Sequence, residues 1–426
     1  MRGHRRGRVP LELADVTTID HAAEVSPEVL AVRPQDVEAI WGAVERLYKT
    51  GLQPAMSLVV RRRGQILLKR SIGCLRGNGL DEHEGDATLL SPDAPICLFS
   101  ASKAVSAMLL HKLVDNGKLS LDDRVVDYIP EFAPHGKDRV TIRQLLAHRA
   151  GIPQLPITHP DPGLLRHWDA MVHLLCLAPP ADPRFERQAY HALTSGFIIG
   201  ELVRRVGRIE LQAALQAWLA EPLGLRSLSF GLPPERRSQS PLHYRTGPGI
   251  GWPITAISRR VLGLDFERVV DASNSDDFLS AVVPSGNLFG SADDICRFFQ
   301  MLLDGGTYEG RRVFKAETIQ AAVSPVGRLQ FDGVLGVPIR LSPGFMLGES
   351  PVGLWGPQCQ RAFGHIGFMT VLCWADPARD LSVAFLTTGK YVSPLGFARA
   401  LQVVGAITRA CRPTPQSGAD LTHTLT

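Results

Sequence analysis

A serine and a lysine three positions apart are the residues best suited to chemistry in this sequence. Ser100 and Lys103 form a Ser-x-x-Lys tetrapeptide, which occurs once in the chain, at the head of a predicted helix. Positions i and i+3 share one helix face, so the Ser100 hydroxyl and the Lys103 amine can meet, and a helix N-terminus favours a developing alkoxide. A partly buried lysine can lose its proton near neutral pH and serve as a base. The tetrapeptide alone is also compatible with an N-cap serine beside a surface lysine.

Other common catalytic and cofactor motifs are absent from the sequence. There is no Gly-x-Ser-x-Gly elbow, no His-Glu-x-x-His zinc motif and no phosphate-binding loop. The seven cysteines are scattered without a Cys-x-x-Cys pair, and the histidines, including His148 and His191, lack metal-ligand spacing. We therefore predict neither a metal nor a cofactor.

The composition is that of a soluble globular protein. Of 426 residues, 45% are hydrophobic and 21% are charged, and the net charge is only +4. The basic clusters at 2–8 and 61–63 are unrelated and have no interleaved aromatic residues, which argues against nucleic-acid binding. No apolar run approaches the ~18 residues of a membrane helix, and the basic start does not lead into an apolar signal core. We predict a cytoplasmic protein without a membrane span.

The elements predicted at the two ends of the chain mirror each other. They are a helix over 33–49, a hairpin with strands over 56–61 and 65–72, two strands over 368–375 and 381–388, and a helix over 394–411. The most economical arrangement is one antiparallel sheet that both ends complete, with the middle of the chain as a helical insertion.

Three helices and one long loop are predicted between the two ends. The helices cover 102–116, 194–205 and 291–304, and capping or glycine patterns mark their ends. Residues 229–287 are rich in Gly, Pro and Ser and have weak periodicity, which predicts a long covering loop.

Several segments, in this order, resemble the serine β-lactamase and penicillin-binding protein superfamily, in particular its class C-like esterase branch, the family VIII carboxylesterases. The similar segments are LFSASK at 98–103, LVDNGKLSLDD at 113–123, VDYIPEF at 126–132, TIRQLLAHRAGI at 141–152, YHALTSG at 190–196 and FGHIG at 363–367. The resemblance covers roughly residues 35 to 410.

The resemblance implies a role for three side chains. Ser100 is expected to be the nucleophile that accepts the acyl group, Lys103 its proton partner, and Tyr190 the second member of the base pair. A tyrosine near an ammonium has its phenolate stabilised, so either Tyr190 or Lys103 could take the Ser100 proton. The sequence leaves both assignments open.

The resemblance also implies an oxyanion site. Its donors would be the backbone N–H groups of Ser100 and Phe368, and Gly367 would let the backbone approach the substrate. His365 is either a substrate-facing residue or a strand residue without a catalytic part.

Two positions depart from the β-lactamase pattern. The Tyr-x-Asn motif is replaced by Tyr190, His191 and Ala192, so the amide side chain that grips a β-lactam is missing. The lysine of the Lys-Thr-Gly motif is replaced by His365. Both changes are familiar in the esterase branch and favour substrates without that amide or a carboxylate.

We predict an α/β fold of the β-lactamase type: an antiparallel sheet flanked by terminal helices, with an inserted helical subdomain. The expected organisation is a polar lead-in over 1–30, one catalytic domain over 31–412, and a flexible tail over 413–426. Within that domain we expect the sheet at about 31–95 and 330–412 and the helical subdomain at about 96–330.

The predicted activity is hydrolysis of small carboxylic esters, or acyl transfer from them, through an acyl-enzyme on Ser100. The predicted partner is a small-molecule ester, and the sequence does not set the oligomeric state. The alternatives are a β-lactamase or D-amino-acid peptidase and, from another class, a catalytically silent binding or scaffold protein of the same fold.

Overall fold

Strands from both ends of the chain form one antiparallel sheet. The computed structural model describes residues 5–77, 87–157 and 161–413. Its largest sheet has eight strands. At the centre of the sheet, Ala55–Arg62 pairs with Leu381–Thr387. The prediction that both ends complete one sheet is confirmed.

The regular elements are numbered in chain order. The helices are α1 (Pro34–Tyr48), α2 (Ser102–Asp115), α3 (Ile142–Leu146), α4 (Trp168–Leu177), α5 (Thr194–Gly207), α6 (Leu211–Leu215), α7 (Glu221–Leu223), α8 (Trp252–Leu262), α9 (Phe266–Ala272), α10 (Asp276–Ser280), α11 (Ala292–Leu303), α12 (Ala316–Val323) and α13 (Pro394–Ala410). The strands are β1 (Thr17–Ile19), β2 (Ala55–Arg62), β3 (Gln65–Arg76), β4 (Thr88–Leu89), β5 (Ile96–Cys97), β6 (Ser229–Phe230), β7 (Tyr244–Arg245), β8 (Leu288–Gly290), β9 (Thr307–Tyr308), β10 (Arg311–Arg312), β11 (Gln330–Phe331), β12 (Pro338–Ile339), β13 (Met346–Leu347), β14 (Val352–Gly353), β15 (Gly356–Pro357), β16 (Phe363–Gly367), β17 (Val371–Asp376), β18 (Leu381–Thr387) and β19 (Gly389–Lys390). The main sheet runs β1-β3-β2-β18-β17-β16-β13, with β4 beside β3.

The central strands are buried on both faces. Along β2, Met56, Leu58 and Val60 join the core that contains the apolar residues of α1 and α13. Ala55 and Val59, on the other face, join the core that contains α2 and α11. A strand covered on both faces is a continuous apolar run in sequence, which explains why the patterns at the chain ends were clear.

Helix α11 ties the inserted part of the chain to the sheet. The Ser291 hydroxyl caps the helix by accepting the N–H of Asp294. Arg61, on β2, donates to Asp293 from Nε at 3.2 Å and Nη2 at 2.7 Å, and both side chains are almost fully buried. Burial alone would raise the pKa of Asp293, but attraction to Arg61 and Arg297 holds it below its usual value.

The predicted covering loop over 229–287 is wrong in part. The segment contains three short helices, α8, α9 and α10, and the two-residue strands β6 and β7, besides irregular chain. Helices α9 and α10 are seven and five residues long, too short to show a helical period above the Gly, Pro and Ser background. The segment is nevertheless placed against the candidate nucleophile, as described below.

Three boundaries also differ from those predicted. The strand expected from 368 starts at Val371, because Phe368 and Met369 adopt left-handed φ values of 31° and 74° and turn the chain. Helix α5 runs to Gly207 and ends on a left-handed Arg208 rather than on the glycine. Residues 17–19, inside the expected polar lead-in, form β1 at the sheet edge.

The remaining expectations concern the tail and the membrane. From residue 414 onward, the expected flexible tail lies outside the described residues. None of the helices in the described part of the chain is both long enough and apolar enough to cross a membrane.

Replacing Asp293 with Ala should lower the free energy of unfolding by about 3–5 kcal/mol, because it leaves the Arg61 guanidinium buried without a counter-charge. Urea unfolding followed by circular dichroism measures this. The matched control is Asp276→Ala: that carboxylate also pairs with an arginine, but its side chain is 84% exposed, so the loss should stay below about 1 kcal/mol. Equal losses for the two variants would show that α11 is not anchored through Asp293.

Candidate active site

The candidate nucleophile lies in a strained turn. Ser100 is half-buried in the 3₁₀ turn Phe99–Ala101, which runs directly into α2. Phe99 has a φ of 47°, a left-handed conformation that costs a bulky residue roughly 1–3 kcal/mol. The fully buried Ser102 hydroxyl holds the turn, because it donates to the Phe99 carbonyl and accepts the N–H of Leu288 at 3.0 Å. Ser102 is thus bound to backbone, whereas Ser100 lines a cavity.

Lys103 lies one helical turn below Ser100, as the spacing predicted. Its Nζ donates to the carbonyl oxygens of Ala192 at 2.7 Å and Ser285 at 3.1 Å, and lies 3.3 Å from Ser100 Oγ. The side chain is 6% exposed. These three oxygens come from three separate segments of the chain, so the lysine marks the point where they converge.

Burial holds the pKa of Lys103 well below its usual value. A neutral amine has two N–H bonds and one lone pair. The two carbonyl oxygens accept the two N–H bonds, which leaves the lone pair for the Ser100 hydroxyl. The arrangement therefore places a basic nitrogen next to the hydroxyl proton of Ser100.

Tyr190 packs against the Lys103 amine, with its ring centroid 4.9 Å from Nζ. The Asp332 carboxylate positions Tyr190 by accepting its backbone N–H at 3.0 Å. The tyrosine hydroxyl is buried and has no hydrogen-bond partner of normal geometry among the described residues. Burial raises the pKa of Tyr190, and interaction with the Ser100 side chain reverses this only partly. Tyr190 is therefore a protonated phenol, able to donate.

Two buried histidines support the loop that carries Tyr190. His148 Nδ1 accepts the backbone N–H of His191, and His191 Nε2 accepts the backbone N–H of Ile152, both at 3.1 Å. Burial lowers the pKa of His191 to about 4 and that of His148 well below its usual value, so both rings are neutral near pH 7. Within the described residues, no group of three His, Cys, Asp or Glu side chains has a metal-binding arrangement.

The end of β16 meets the 3₁₀ turn Phe99–Ala101, which we call the nucleophile turn because it carries the candidate nucleophile Ser100. A Cβ on Gly367 would lie 1.9 Å from the carbonyl oxygen of Leu98, so only glycine allows this approach. The chain then turns at Phe368, whose ring centroid lies 5.2 Å from that of Phe99. Phe368 and Ser100 line the same cavity.

His365 faces Tyr190 and Lys103 rather than the cavity. It is 2% exposed, its ring centroid lies 6.1 Å from that of Tyr190, and it does not line the cavity. Burial, helped by Lys103, lowers the pKa of His365 to about 3. At neutral pH the histidine in place of the Lys-Thr-Gly lysine therefore carries no charge.

The cavity beside Ser100 is small and apolar. Its volume is about 100 Å³, and the lining includes Leu155, Leu164, Leu165, Leu193, Val269 and Phe278. Among the residues that the structure describes, no lysine or arginine lines it, and Asp161 is the one charged residue in the lining. Leu155 and Leu193 also border a wider outer cavity of about 520 Å³, where Arg259 and Arg268 are placed. Trp355 is fully buried against Trp374 and does not line the cavity.

Sequence reasoning missed three contributors to the site. Ala192 and Ser285 act through their backbone carbonyls, and Asp332 acts by accepting the Tyr190 N–H. Every residue has a backbone carbonyl, so residue type does not indicate which carbonyl accepts a hydrogen bond. The one available pattern is Pro284-Ser285-Gly286-Asn287, a turn sequence at the end of the predicted covering loop.

The comparisons with known proteins agree with this architecture. The esterase/β-lactamase LipL of Mycobacterium tuberculosis is 27% identical over 317 residues, which cover 72% of this chain and 71% of that protein. A penicillin-binding protein homologue from Caulobacter crescentus superposes with a TM-score of 0.76 at 29% identity, covering 89% of this chain and 98% of that one. A family VIII carboxylesterase superposes with a TM-score of 0.75 at 26% identity, covering 88% and 97%.

Residues 44–406 match the β-lactamase family. This span includes the nucleophile turn, the Tyr190 loop and the end of β16. The chain is therefore a serine hydrolase of the β-lactamase family.

Proposed function

We propose that this protein hydrolyses small carboxylic esters through an acyl-enzyme on Ser100. The observation that carries the proposal is the position of Lys103, whose buried amine contacts two carbonyl oxygens and lies 3.3 Å from the Ser100 hydroxyl. The family VIII carboxylesterase and the esterase/β-lactamase LipL, both similar to this chain, support an ester as the substrate.

Acylation begins with the neutral Lys103 amine. The amine takes the Ser100 proton while Oγ bonds to the carbonyl carbon of the ester. The carbonyl electron pair moves to oxygen, and the backbone N–H groups of Ser100 and Phe368 stabilise the resulting oxyanion. The pKa shifts favour Lys103 over Tyr190 as the base, because burial disfavours both an ammonium and a phenolate.

Release of the alcohol uses the protonated tyrosine. As the tetrahedral intermediate collapses, the bond between carbon and the alcohol oxygen breaks, and Tyr190 gives that oxygen its proton. The Lys103 ammonium then returns a proton to Tyr190. A water molecule, deprotonated by Lys103, then bonds to the acyl carbon. The bond between that carbon and Ser100 Oγ breaks, Oγ takes the proton back from Lys103, and the acid is released. A second alcohol in place of water gives acyl transfer by the same steps.

The cavity favours a neutral, apolar acyl group. A β-lactam presents a carboxylate and an acylamino group, which require a cation and an amide for recognition. The corresponding positions hold His365, whose pKa is lowered to about 3, and Ala192, whose side chain offers no hydrogen bond. A simple ester needs only the nucleophile, the oxyanion donors and an apolar surface.

The variant Ser100→Ala should lower kcat for a para-nitrophenyl ester by about 10³-fold or more, since Ser100 is the proposed covalent acceptor. Its melting temperature should stay close to that of the wild type, because the hydroxyl contributes little packing. The control is Ser106→Ala, a buried serine on the same helix whose hydroxyl donates to the Pro284 carbonyl. That variant should keep turnover within about threefold. Substantial turnover by Ser100→Ala would disprove the assignment of the nucleophile.

Lys103→Met and Tyr190→Phe should each lower kcat by about 10²–10⁴-fold, and the double variant should lose little more, because both side chains belong to one proton relay from Ser100 to the leaving alcohol. The test is a double-mutant cycle on kcat. If the two losses simply add, the side chains act independently and the proposed relay is wrong.

Ester turnover should exceed β-lactam turnover. Each substrate polar group left without a partner costs about 1–3 kcal/mol, so two groups give a discrimination of roughly thirtyfold to twenty-thousandfold. The measurement is kcat/KM for a para-nitrophenyl ester series and for a chromogenic cephalosporin at about pH 7.5, where His365 is neutral. A cephalosporin value equal to that of the best ester would favour a β-lactamase or peptidase instead.

A further inference from the structure

A second buried lysine lies behind the nucleophile turn. Lys390, at the end of β19, is fully buried, and its Nζ lies 4.7 Å from the centroid of the Phe99 ring. Among the described residues its amine makes one hydrogen bond, to the Thr387 carbonyl at 2.9 Å. No carboxylate within the described ranges forms an ion pair with it.

Phe99 connects this lysine to the site. It directly precedes Ser100, has the strained φ of 47°, and lines the cavity. Its ring is enclosed by aromatic neighbours, with centroid separations of 5.2 Å to Phe368 and 4.7 Å to His243. A strained backbone persists only where its surroundings hold it, and the Lys390 ammonium is one of the groups that contact this ring.

A buried ammonium with a single hydrogen bond destabilises the folded state, and a methionine of similar size would fill the same space with a smaller free-energy penalty. Lys137 provides the contrast. It is equally buried and lies over the Phe132 ring, but three carbonyl oxygens accept its three N–H bonds. Lys137 therefore has a complete structural explanation, whereas Lys390 does not.

We propose that Lys390 is a positioning residue for the nucleophile: its ammonium holds the Phe99 ring by a cation–π contact and so fixes the hydroxyl and the N–H of Ser100. This inference rests on the proposed function of Ser100. It concerns the charged form of Lys390, because a neutral amine loses the attraction to the ring.

The charge of Lys390 changes near neutral pH. Burial lowers its pKa to about 7. Two titratable groups face it, and both are neutral there: the Cys97 thiol, whose pKa is raised to about 12, and His243, whose pKa is held well below its usual value. Activity should therefore fall as the pH rises through the pKa of Lys390 and its ammonium loses a proton.

The variant Lys390→Met should lower kcat about tenfold or more at about pH 6.5 with KM changed less than about twofold, because the oriented Ser100 is lost but the cavity is kept. Its melting temperature should rise, and rise more at about pH 6 than at about pH 9. The cost of burying Lys390 in the wild type is full below its folded-state pKa and shrinks as the pH rises toward about 10.4, where the unfolded chain also loses the proton. If the role of Lys390 were purely structural, its replacement would lower both kcat and the melting temperature.

Lys137→Met is the matched control. It removes three satisfied hydrogen bonds far from Ser100, so its melting temperature should fall while kcat stays within about twofold. Lys390→Arg is the second test and does not depend on the folding of Lys390→Met. An arginine keeps its charge at every working pH and stacks on aromatic rings, so kcat should persist and the loss of activity above about pH 7 should disappear.

A double-mutant cycle that combines Lys390→Met with Phe99→Leu tests whether Lys390 affects kcat through the Phe99 ring. If Lys390 acts through the ring, Lys390→Met should cost nothing more once Phe99 is replaced. Unchanged kcat in Lys390→Met, additive losses in the cycle, or an unchanged alkaline limb in Lys390→Arg would each overturn the inference. If Ser100→Ala is inactive in the same assay, such a result would count against the role of Lys390 and not against the proposed role of Ser100.

Discussion

The burial of a lysine amine beside a serine hydroxyl is the constraint on which the rest of the site depends. Lys103 reaches a low pKa only because water is excluded, and it then needs carbonyl oxygens to accept its two N–H bonds. These oxygens belong to Ala192, before α5, and Ser285, before β8. The two segments meet because residue 196 is glycine, since a Cβ there would lie 2.1 Å from Ser285 Oγ.

The opposite wall of the site is built by a similar close approach. Gly367 lets the end of β16 touch the Leu98 carbonyl, and Phe99 adopts a left-handed conformation just before Ser100. A site of this kind is locally costly in free energy. The cost is offset elsewhere, in a sheet buried on both faces and in the anchoring of α11 to β2 through Arg61 and Asp293.

The sequence predicted those features that depend on residue type and period. The sheet strands are apolar runs because both faces are covered, and Ser100 and Lys103 share a helix face because of their spacing. Features that depend on backbone contacts were not predictable. The carbonyls of Ala192 and Ser285 have no residue signal, the short helices α9 and α10 have no measurable period, and the inward orientation of His365 follows from the register of β16.

The pH dependence of Ser100 labelling by a fluorophosphonate probe tests whether a neutral Lys103 amine activates this serine. The labelled residue is located by peptide mass mapping. The probe forms a covalent bond with an activated serine and needs no knowledge of the natural ester. We expect one adduct, on Ser100, whose rate of formation rises with pH through a midpoint far below the usual pKa of lysine, because the neutral Lys103 amine is the base. An adduct on another residue, or a rate that follows no lysine titration and survives Lys103→Met, would contradict this expectation.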